Sequence, residues 1–318
     1  MTENCELPTV NYPHIPILVQ PILDHLLPAE RVIDGTLGAG GHSAALLESG
    51  AGEVLGLDLD PMALEIARER LAPFGDRAHL VHASYATMTD EAARLGWDGV
   101  DGILLDLGIS SMQIDRPERG FAFMQDGPLD MRFDTLENPL TAAVIVNKYD
   151  ERVIADIIYN FGEEPQSRRI ARAIVARRPH HTTFDLVNAI ESVIPRRRTD
   201  KIHPATRTFQ ALRMAVNDEL GVIERALPAA IDLLRPGGKL AVISFHSLED
   251  RLVKQAFKLA STDCICPPKM PVCICGHHAS VRPLTHKPLV ADESEIALNP
   301  RSRSAKLRVV ERLAVGAD

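Results

Sequence analysis

Residues 102–134 read GILLDLGISSMQIDRPERGFAFMQDGPLDMRFD, and this stretch decides both the fold and the position of the functional site. It begins with an apolar run at 103–105 that ends at the carboxylate of Asp106. This pattern is typical of a buried parallel strand that delivers its last side chain to the carboxyl edge of a sheet. The residues that follow combine glycine and proline with dense charge, which excludes a regular helix and a core strand. Long irregular segments of this kind are usually functional, so we predict an active-site loop.

Strand and helix patterns alternate before this stretch and again near the C-terminus. On the N-terminal side they predict strands at 31–36, 53–58, 79–82 and 102–107, with helices at 44–48 and 62–71. Asp60 and Pro61 are expected to begin the second helix as its cap and its first residue. On the C-terminal side they predict a helix at 216–234, a turn at 235–238, a strand at 239–245, a helix at 247–259 and a closing strand at 306–313. Such alternation predicts a parallel sheet with helices on both faces.

The segment between these two regions has no strong strand pattern. Helical patterns instead cover 141–146, 151–159, 167–177 and 184–193. We therefore predict a discontinuous α/β domain formed by residues 1–113 and 214–318, with an all-helical domain at 114–213 inserted into it.

Charge is distributed unevenly along the chain. The net charge of the 318 residues is −8. Residues 168–213 contain eleven Lys/Arg and three Asp/Glu, which gives +8, so the remaining 272 residues carry −16. A basic block on an acidic protein is the electrostatic footprint of a polyanionic partner, although arginines on a solvated helix face would give the same count.

The composition is that of a soluble globular protein, with 45% hydrophobic and 25% charged residues. No run approaches the roughly 20 apolar residues that are needed to cross a bilayer. The N-terminal sequence MTENCELPTVNYPHIP has neither the basic region nor the apolar region of a secretory signal. We therefore expect a cytoplasmic protein without a membrane partner.

The turn after the first strand, TLGAGGHS at 36–43, contains three closely spaced glycines: Gly38, Gly40 and Gly41. Glycine lets the backbone approach a ligand where a Cβ would clash. Asp58 ends the second strand, where a carboxylate can accept hydrogen bonds from ribose hydroxyls. Ser43 stands where a dinucleotide fingerprint has its third glycine. This departure favours S-adenosylmethionine, which has no pyrophosphate, although tight strand–helix turns without any ligand also use glycine.

Further polar side chains are expected at the same edge of the sheet. Asp106 and Gln113 follow the fourth strand, across the point where the strand order reverses and where ligands bind in open α/β folds. A buried acid there could also be a cap. His42 follows the glycines and is a candidate for the same site. Alternatively, it is a surface histidine at the start of a helix. No metal is predicted at this edge.

His246 follows the fifth strand and is expected to face the same edge as Asp106. The next residue, Ser247, could be a helix cap, with Asp250 completing a capping box.

The five cysteines are Cys5 and the two C-x-C pairs Cys264, Cys266, Cys273 and Cys275. The two pairs could supply four thiolates to a structural zinc ion. Their spacing differs from the usual C-x-x-C, so free cysteines in a variable loop are the alternative. A disulfide is disfavoured in a reducing cytoplasm.

Five segments together resemble one family, and they cover the chain from about residue 15 to residue 312. They are TLGAGGHS (36–43), LDLGISSMQIDRPERGFAFMQDGPLDMRFD (105–134), RTFQALRMAVNDEL (207–220), ISFHSLEDR (243–251) and NPRSRSAKLRVVER (299–312). The family is the bacterial ribosomal RNA small-subunit methyltransferase H, or MraW, family.

The resemblance implies a class I S-adenosylmethionine-dependent methyltransferase, with a Rossmann-like parallel sheet and an inserted helical domain. Its implied substrate is the N4 amine of a specific cytidine in the decoding centre of small-subunit (16S) ribosomal RNA, as free RNA or in the assembled subunit. The helical domain would bind this RNA. The oligomeric state stays open, with a homodimer as one alternative.

The resemblance also implies roles for individual residues. Family cofactor positions carry over onto Gly40, Gly41, His42, Asp58, Tyr85, Asp106 and Gln113, and Gly38 of the same turn is included with them. Asp106 and His246 are the catalytic candidates. Candidates for stacking on the target base are Phe121, Phe123 and Phe245, each of which could instead be a core residue. Candidates for contact with the RNA backbone are the basic residues of 168–178 and 196–198, Lys201 and Arg207.

Three alternatives differ in substrate or in class. A DNA substrate is disfavoured because residues 106–109, DLGI, lack the prolines and the aromatic residue of the DNA amino-methyltransferase tetrapeptide. A nicotinamide-dependent dehydrogenase would use the same glycine turn and Asp58. An RNA-binding assembly factor could retain an inactive methyltransferase fold, but it would be expected to lose cofactor residues that are present here.

Overall fold

A computed structural model of the chain describes residues 16–197, 199, 202–267 and 272–314. Cys5, Arg198 and Lys201, which enter the predictions above, lie outside the described residues, as does residue 15. Within these described ranges, no helix is both long and apolar enough to cross a membrane.

One mixed sheet forms the centre of the α/β part. Its strands are β1 (Arg31–Asp34), β2 (Glu53–Asp58), β3 (Ala78–His82), β4 (Val100–Asp106), β5 (Leu234–Ser244), β6 (Val281–Pro283) and β7 (Lys306–Arg312). The strand order is β3-β2-β1-β4-β5-β7-β6. The first five strands in this order are parallel, whereas β7 runs antiparallel to both β5 and β6. The Rossmann-like fold class is confirmed, but the sheet is mixed rather than wholly parallel.

Helices cover both faces of the sheet or form a separate group. They are α1 (Val19–Leu26), α2 (Gly41–Glu48), α3 (Pro61–Leu71), α4 (Met88–Arg94), α5 (Ser111–Ile114), α6 (Ala142–Lys148), α7 (Glu151–Gly162), α8 (Ser167–Ala176), α9 (Thr183–Glu191), α10 (Thr206–Val216), α11 (Glu219–Leu233), α12 (Ser247–Ala260) and α13 (Glu293–Leu298). Five helices, namely α1, α4, the single turn α5, α10 and α13, were not predicted from the sequence, and neither was the short strand β6.

Side chains alternate between the two faces of the sheet, as the two-residue period of a strand requires. In β4, Ile103 and Leu105 pack on one face against Leu227 of α11. Leu104, between them, packs on the other face with Leu26 of α1 and residues of α2 and α3. Because both faces are covered, the middle of the strand is apolar, and Asp106 is the ionisable residue at its carboxyl end.

The helices from α6 to α10 enclose a separate hydrophobic core. Representative members, all with side chains fully buried, are Ile145, Ile158, Ile170, Ile190 and Leu212. The core also takes in residues of the loop after β4 and reaches Val216 at the end of α10. The helices between β4 and α11 therefore share a hydrophobic core that includes Val216.

Three local predictions can be compared with the structure. The segment at 235–238, predicted as a turn before the strand, lies within the bounds of β5, but the pairing with β4 skips it by shifting from Val100–Leu234 to Gly102–Lys239. Ser247 does not cap α12, because His246 is the cap and Glu249 closes the capping box. At α3, Asp60 is the cap and Pro61 the first residue, as predicted.

Candidate active site

A cleft of about 470 Å³ lies at the carboxyl ends of the parallel strands. Residues following β1, β2, β4 and β5 line it, together with the loop after β4 and a C-terminal segment at 298–301. Most of the predicted site residues line this cleft: Gly38, Gly41, His42, Asp58, Tyr85, Asp106 and Gln113. Gly40 and His246 do not belong to its lining.

Asp58 is held by two backbone N–H groups. Its Oδ2 accepts from Gly38 at 2.7 Å and its Oδ1 accepts from Asp60 at 2.8 Å. Gly38 has a φ of +52°, a backbone conformation that glycine adopts without strain. Burial raises the pKa of Asp58 to about 6, which these two hydrogen bonds partly offset. The carboxylate is therefore fixed in one orientation beside the glycine turn.

Gly40 has a different function in the same turn. It adopts a φ of +73° as the cap of α2, and a Cβ there would lie 3.2 Å from Leu71 of α3. Gly40 thus allows α2 and α3 to pack closely, and any contribution that it makes to ligand binding would be indirect.

Ser43, which departs from the dinucleotide fingerprint, has a structural partner. Its hydroxyl donates a 2.7 Å hydrogen bond to Asp34, the last residue of β1. Both side chains are fully buried, and burial raises the pKa of Asp34 to about 6. Ser43 therefore provides a hydrogen bond to a buried carboxyl group beneath the glycine turn. The sequence did not reveal this pair, because Asp34 lies inside a predicted strand.

Asp106 presents an unpaired carboxyl oxygen at the cleft. Its Oδ1 is buried and has no hydrogen-bond partner among the described residues, and its Oδ2 lies 4.0 Å from Nδ1 of His42. Burial, together with the nearby carboxylates of Asp34 and Glu249, raises the pKa of Asp106 to about 8. A carboxyl in this state gains by pairing with a cation or a hydrogen-bond donor that enters the cleft.

His42 is buried, so the alternative of a surface histidine is wrong. Its Nε2 lies 2.8 Å from the carbonyl oxygen of Ile17, which can only accept, so Nε2 carries the proton. Burial lowers the pKa of His42, and the neutral ring therefore turns an unprotonated Nδ1 toward Asp106.

The loop after β4 is fixed to the α/β domain through Asp60. One oxygen of Asp60 accepts from Gln113 at 2.9 Å and from Arg119 at 2.7 Å. Arg119 also donates to the carbonyl oxygen of Arg132 at 2.9 Å, near the far end of the loop. The Oε1 of Gln113 accepts from Ser110 in a capping box. These contacts explain how a loop rich in glycine and proline is ordered at the cleft.

Replacing Arg119 by alanine is expected to lower the free energy of unfolding by about 3 kcal/mol, because it leaves a buried carboxylate without its cationic partner. The side chains are only 11% (Arg119) and 2% (Asp60) exposed. Urea denaturation measures the change. Arg116→Ala is the matched control, since Arg116 lies on the same loop and is half exposed. A similar loss in both variants would contradict a specific Arg119–Asp60 clamp.

The opposite wall of the cleft contains an ionic network from α10, α11 and α12. Arg213 binds Glu219 through two hydrogen bonds of 2.7 and 2.8 Å. Glu249 accepts from the backbone N–H of Phe245 at 2.9 Å, and its other oxygen lies 3.0 Å from Nε2 of His246. Glu219 and Glu249 line the cleft, whereas His246 contacts Glu249 and does not belong to the lining. His246 was predicted from the sequence, whereas neither glutamate was.

Of the three candidate aromatic residues, Phe245 lines the cleft. Phe121 is buried and stacks on Phe133 with ring centroids 5.7 Å apart. Phe123 packs against Phe209, at 5.0 Å between centroids, in the core of the helical unit. Phe133, which was not predicted, also lines the cleft.

The strand order, the glycine turn after β1, and the carboxylates at the ends of β2 and β4 define a class I S-adenosylmethionine-dependent methyltransferase. Residues 11–313 match the MraW methylase family. The chain belongs to this family, as its sequence motifs indicated. Membership of this family excludes the alternative that the chain is a nicotinamide-dependent dehydrogenase.

Three relatives illustrate the similarity, each called ribosomal RNA small subunit methyltransferase H. The protein of Dehalococcoides mccartyi is 50% identical over 308 residues, which cover 96% of this chain and 88% of that protein. The protein of Geobacter sulfurreducens is 51% identical over 312 residues, covering 96% of this chain and 100% of the relative. The protein of Symbiobacterium thermophilum is 50% identical over 311 residues, covering 95% and 98%.

Proposed function

We propose that this chain transfers a methyl group from S-adenosylmethionine to the N4 amine of a specific cytidine in the decoding centre of small-subunit ribosomal RNA, in the cytoplasm. Its relatives are called small-subunit ribosomal RNA methyltransferases, and the sequence motifs carry the N4-cytidine assignment. The observation that carries the proposal is the unpaired, buried Oδ1 of Asp106, because it offers an acceptor for an amine in a cleft that Phe245 also lines.

The cleft fits the cofactor. Asp58 would accept hydrogen bonds from the ribose hydroxyls, and the backbone at Gly38 and Gly41 lets the ligand approach closely. Tyr85 supplies an apolar surface, and Gln113 would act mainly through the Asp60 contact, since its amide is already bonded. When bound, S-adenosylmethionine supplies a methyl group on a sulfonium centre that is already a good leaving group.

The residues of the chain would then position the acceptor. The N4 amine of cytosine is weakly nucleophilic because its lone pair is delocalised into the ring. A carboxylate at Asp106 would accept a hydrogen bond from the amine, hold it for in-line approach and favour loss of its proton. Phe245 would stack on the unstacked base. His246 would act as a positioning residue, because it touches Glu249 rather than the cleft.

We also propose residues 114–213 as the RNA-binding domain; the helical core supports a separate unit, and the basic block within it supports the RNA contact. Several arginines of the basic block are exposed, namely Arg168, Arg169, Arg172, Arg177, Arg196, Arg197 and Arg207. Arg178 is an exception, since its guanidinium donates to the carbonyl oxygens of Val146 and Tyr149. Arg213 is another exception, because it pairs with Glu219 inside the protein. Both arginines stabilise the fold, and Arg178 is therefore removed from the candidates for contact with the RNA backbone.

Replacing Arg168, Arg169 and Arg172 of α8 together by alanine is expected to weaken RNA binding and leave cofactor binding unchanged. Loss of three phosphate contacts lowers the slope of log affinity against log salt by about 2. The control triple variant, Arg68→Ala with Lys254→Ala and Lys258→Ala, removes the same charge from exposed helix positions of the α/β domain. Equal weakening in both triples would mean that net charge, rather than the face of α8, determines RNA affinity.

The proposed reaction is tested with labelled cofactor. The protein is incubated with S-adenosylmethionine labelled in its methyl group and with small subunits, or free rRNA, from cells that lack the enzyme. Nuclease digestion and mass spectrometry then locate the label. Label on the N4 of one cytidine is expected, and label on another atom or base would overturn the assignment. Sedimentation of the purified protein distinguishes the homodimer alternative from a monomer.

A further inference from the structure

Four cysteine sulfurs converge in the connection between α12 and β6. The Sγ atoms of Cys264 and Cys273 are 3.5 Å apart, as are those of Cys273 and Cys275. The Cys264–Cys275 and Cys266–Cys273 distances are 3.8 and 3.9 Å. All four sulfurs lie within 4.8 Å of one another, and all four are free thiols.

These distances match the geometry of a tetrahedral thiolate site. Zinc binds cysteine sulfur at about 2.3 Å, so two ligands at a tetrahedral angle are about 3.8 Å apart. A disulfide would require about 2.05 Å between two sulfurs. The two C-x-C pairs thus supply four ligands around one common centre, although their spacing differs from the usual C-x-x-C.

Hydrophobic packing does not account for this convergence. Among the described residues of 261–280, none is buried. Ile265, Val272 and Ile274 are 52–75% exposed. Folding a loop with so little buried surface requires another source of free energy, and a bound metal ion would supply it. The backbone N–H of Ile274 also points to Cys266, 3.5 Å from its sulfur, as outer contacts of metal ligands commonly do.

The position of the cluster indicates a structural role. Ser280 donates to the carbonyl oxygen of Ala260 at 2.8 Å, and His277 lies 2.9 Å from that of Leu259, so the connection returns to the end of α12. Phe245 and Glu249, which line the cleft, lie at the other end of this helix. Its 14 residues span about 21 Å. The cluster is therefore remote from the reacting groups.

We propose that Cys264, Cys266, Cys273 and Cys275 bind one zinc ion in a closed site of four thiolates, which stabilises the connection between α12 and β6. A site with four protein ligands leaves no open position for substrate, as is typical of structural zinc. The proposal is independent of the RNA substrate, because it rests on the geometry of the thiols alone.

The full-length protein, purified without a metal-binding tag, is analysed by inductively coupled plasma mass spectrometry. About one zinc per chain is expected, with four sulfur ligands at about 2.3 Å in X-ray absorption. Replacement of zinc by cobalt should give the visible absorption of tetrahedral thiolate coordination. Iron in place of zinc, protein that takes up no added zinc, or cysteines paired in disulfides would each overturn the proposal.

Single variants test which cysteines are ligands. Cys264→Ser and Cys273→Ser, one from each pair, are expected to lose most of the zinc and to unfold at a lower temperature. Cys5→Ser is the matched control and should retain zinc. Binding of S-adenosylmethionine, measured by calorimetry, should persist in both ligand variants, because the cleft lies at the other end of α12. If either variant fails to fold, the zinc content and the cobalt spectrum of the wild-type protein test the proposed zinc site. Zinc retained in Cys264→Ser would contradict the proposed ligand set.

Discussion

Replacing Asp58 by alanine is expected to lower the affinity for S-adenosylmethionine about a hundredfold or more. Hydrogen bonds to a charged group contribute about 1.5–3 kcal/mol each, and the two ribose hydroxyls would both lose their acceptor. The variant also releases the backbone N–H groups of Gly38 and Asp60, so the glycine turn loses its fixed shape. Calorimetric titration with S-adenosylmethionine and S-adenosylhomocysteine measures the loss, which should be similar for both ligands because they share the ribose.

Asp101 provides a matched control at the opposite edge of the sheet. Its carboxylate also accepts from two backbone N–H groups, those of Glu30 and Arg31, each at 2.9 Å. Asp101→Ala therefore removes a comparable structural contact without touching the cleft. If Asp101→Ala lost the cofactor as fully as Asp58→Ala, the effect would be structural. Wild-type affinity in Asp58→Ala would refute the role of Asp58.

The α/β architecture could be predicted because most of its strands and helices have recognisable apolar patterns in the sequence. The direction of β7 could not, because the apolar alternation of a strand is the same whichever way it runs. Helix α10 was missed although Phe209, Leu212 and Val216 follow helical spacing and are buried. Its arginines had been counted as part of a basic block, yet Arg213 is an internal ion-pair partner.

The candidate site was predictable where a residue ends a strand. Asp58 and Asp106 are the last residues of β2 and β4, and parallel strands bring such residues to one edge. Pairs that form across the fold were not predictable, because nothing in the sequence links Asp60 to Arg119, 59 positions later. His246 was identified in place of Glu249 for the same reason, since only the structure shows which side chain lines the cleft.

The raised pKa of Asp106 connects stability to ligand binding. Its pKa rises from an ordinary value of 3.8 to about 8 in the folded protein. Between these values the folded state binds a proton that the unfolded state does not, so this group makes stability fall as pH rises toward 8. Above pH 8 the carboxyl is ionised in both the folded and the unfolded state, and the loss of stability caused by its buried charge no longer changes with pH. A ligand with a positive charge beside Asp106 would recover part of that cost.

Replacing Asp106 by asparagine is expected to lower kcat about a hundredfold or more, because the amide cannot accept the amine proton. The ligand-free variant should unfold at a higher temperature than the wild type at pH 8 to 9, since a buried charge is removed. Stopped-time methylation assays and thermal unfolding measure these opposite effects. A variant with nearly unchanged kcat would show that Asp106 has only a structural role.

The pH dependence of ligand affinity distinguishes the electrostatic effect of the Asp106 carboxylate from the effect of its size and position. S-adenosylmethionine carries a positive sulfonium, whereas S-adenosylhomocysteine lacks the methyl group on sulfur and has a neutral thioether there; the rest of the two molecules is the same. The pKa values of Asp34 and Asp58 are raised only to about 6, so above pH 7 Asp106 is the carboxyl of these three that still titrates. Affinity for S-adenosylmethionine, relative to S-adenosylhomocysteine, should therefore rise between pH 7 and 9. In Asp106→Asn this rise should vanish, and its persistence there would assign the pH dependence to another group.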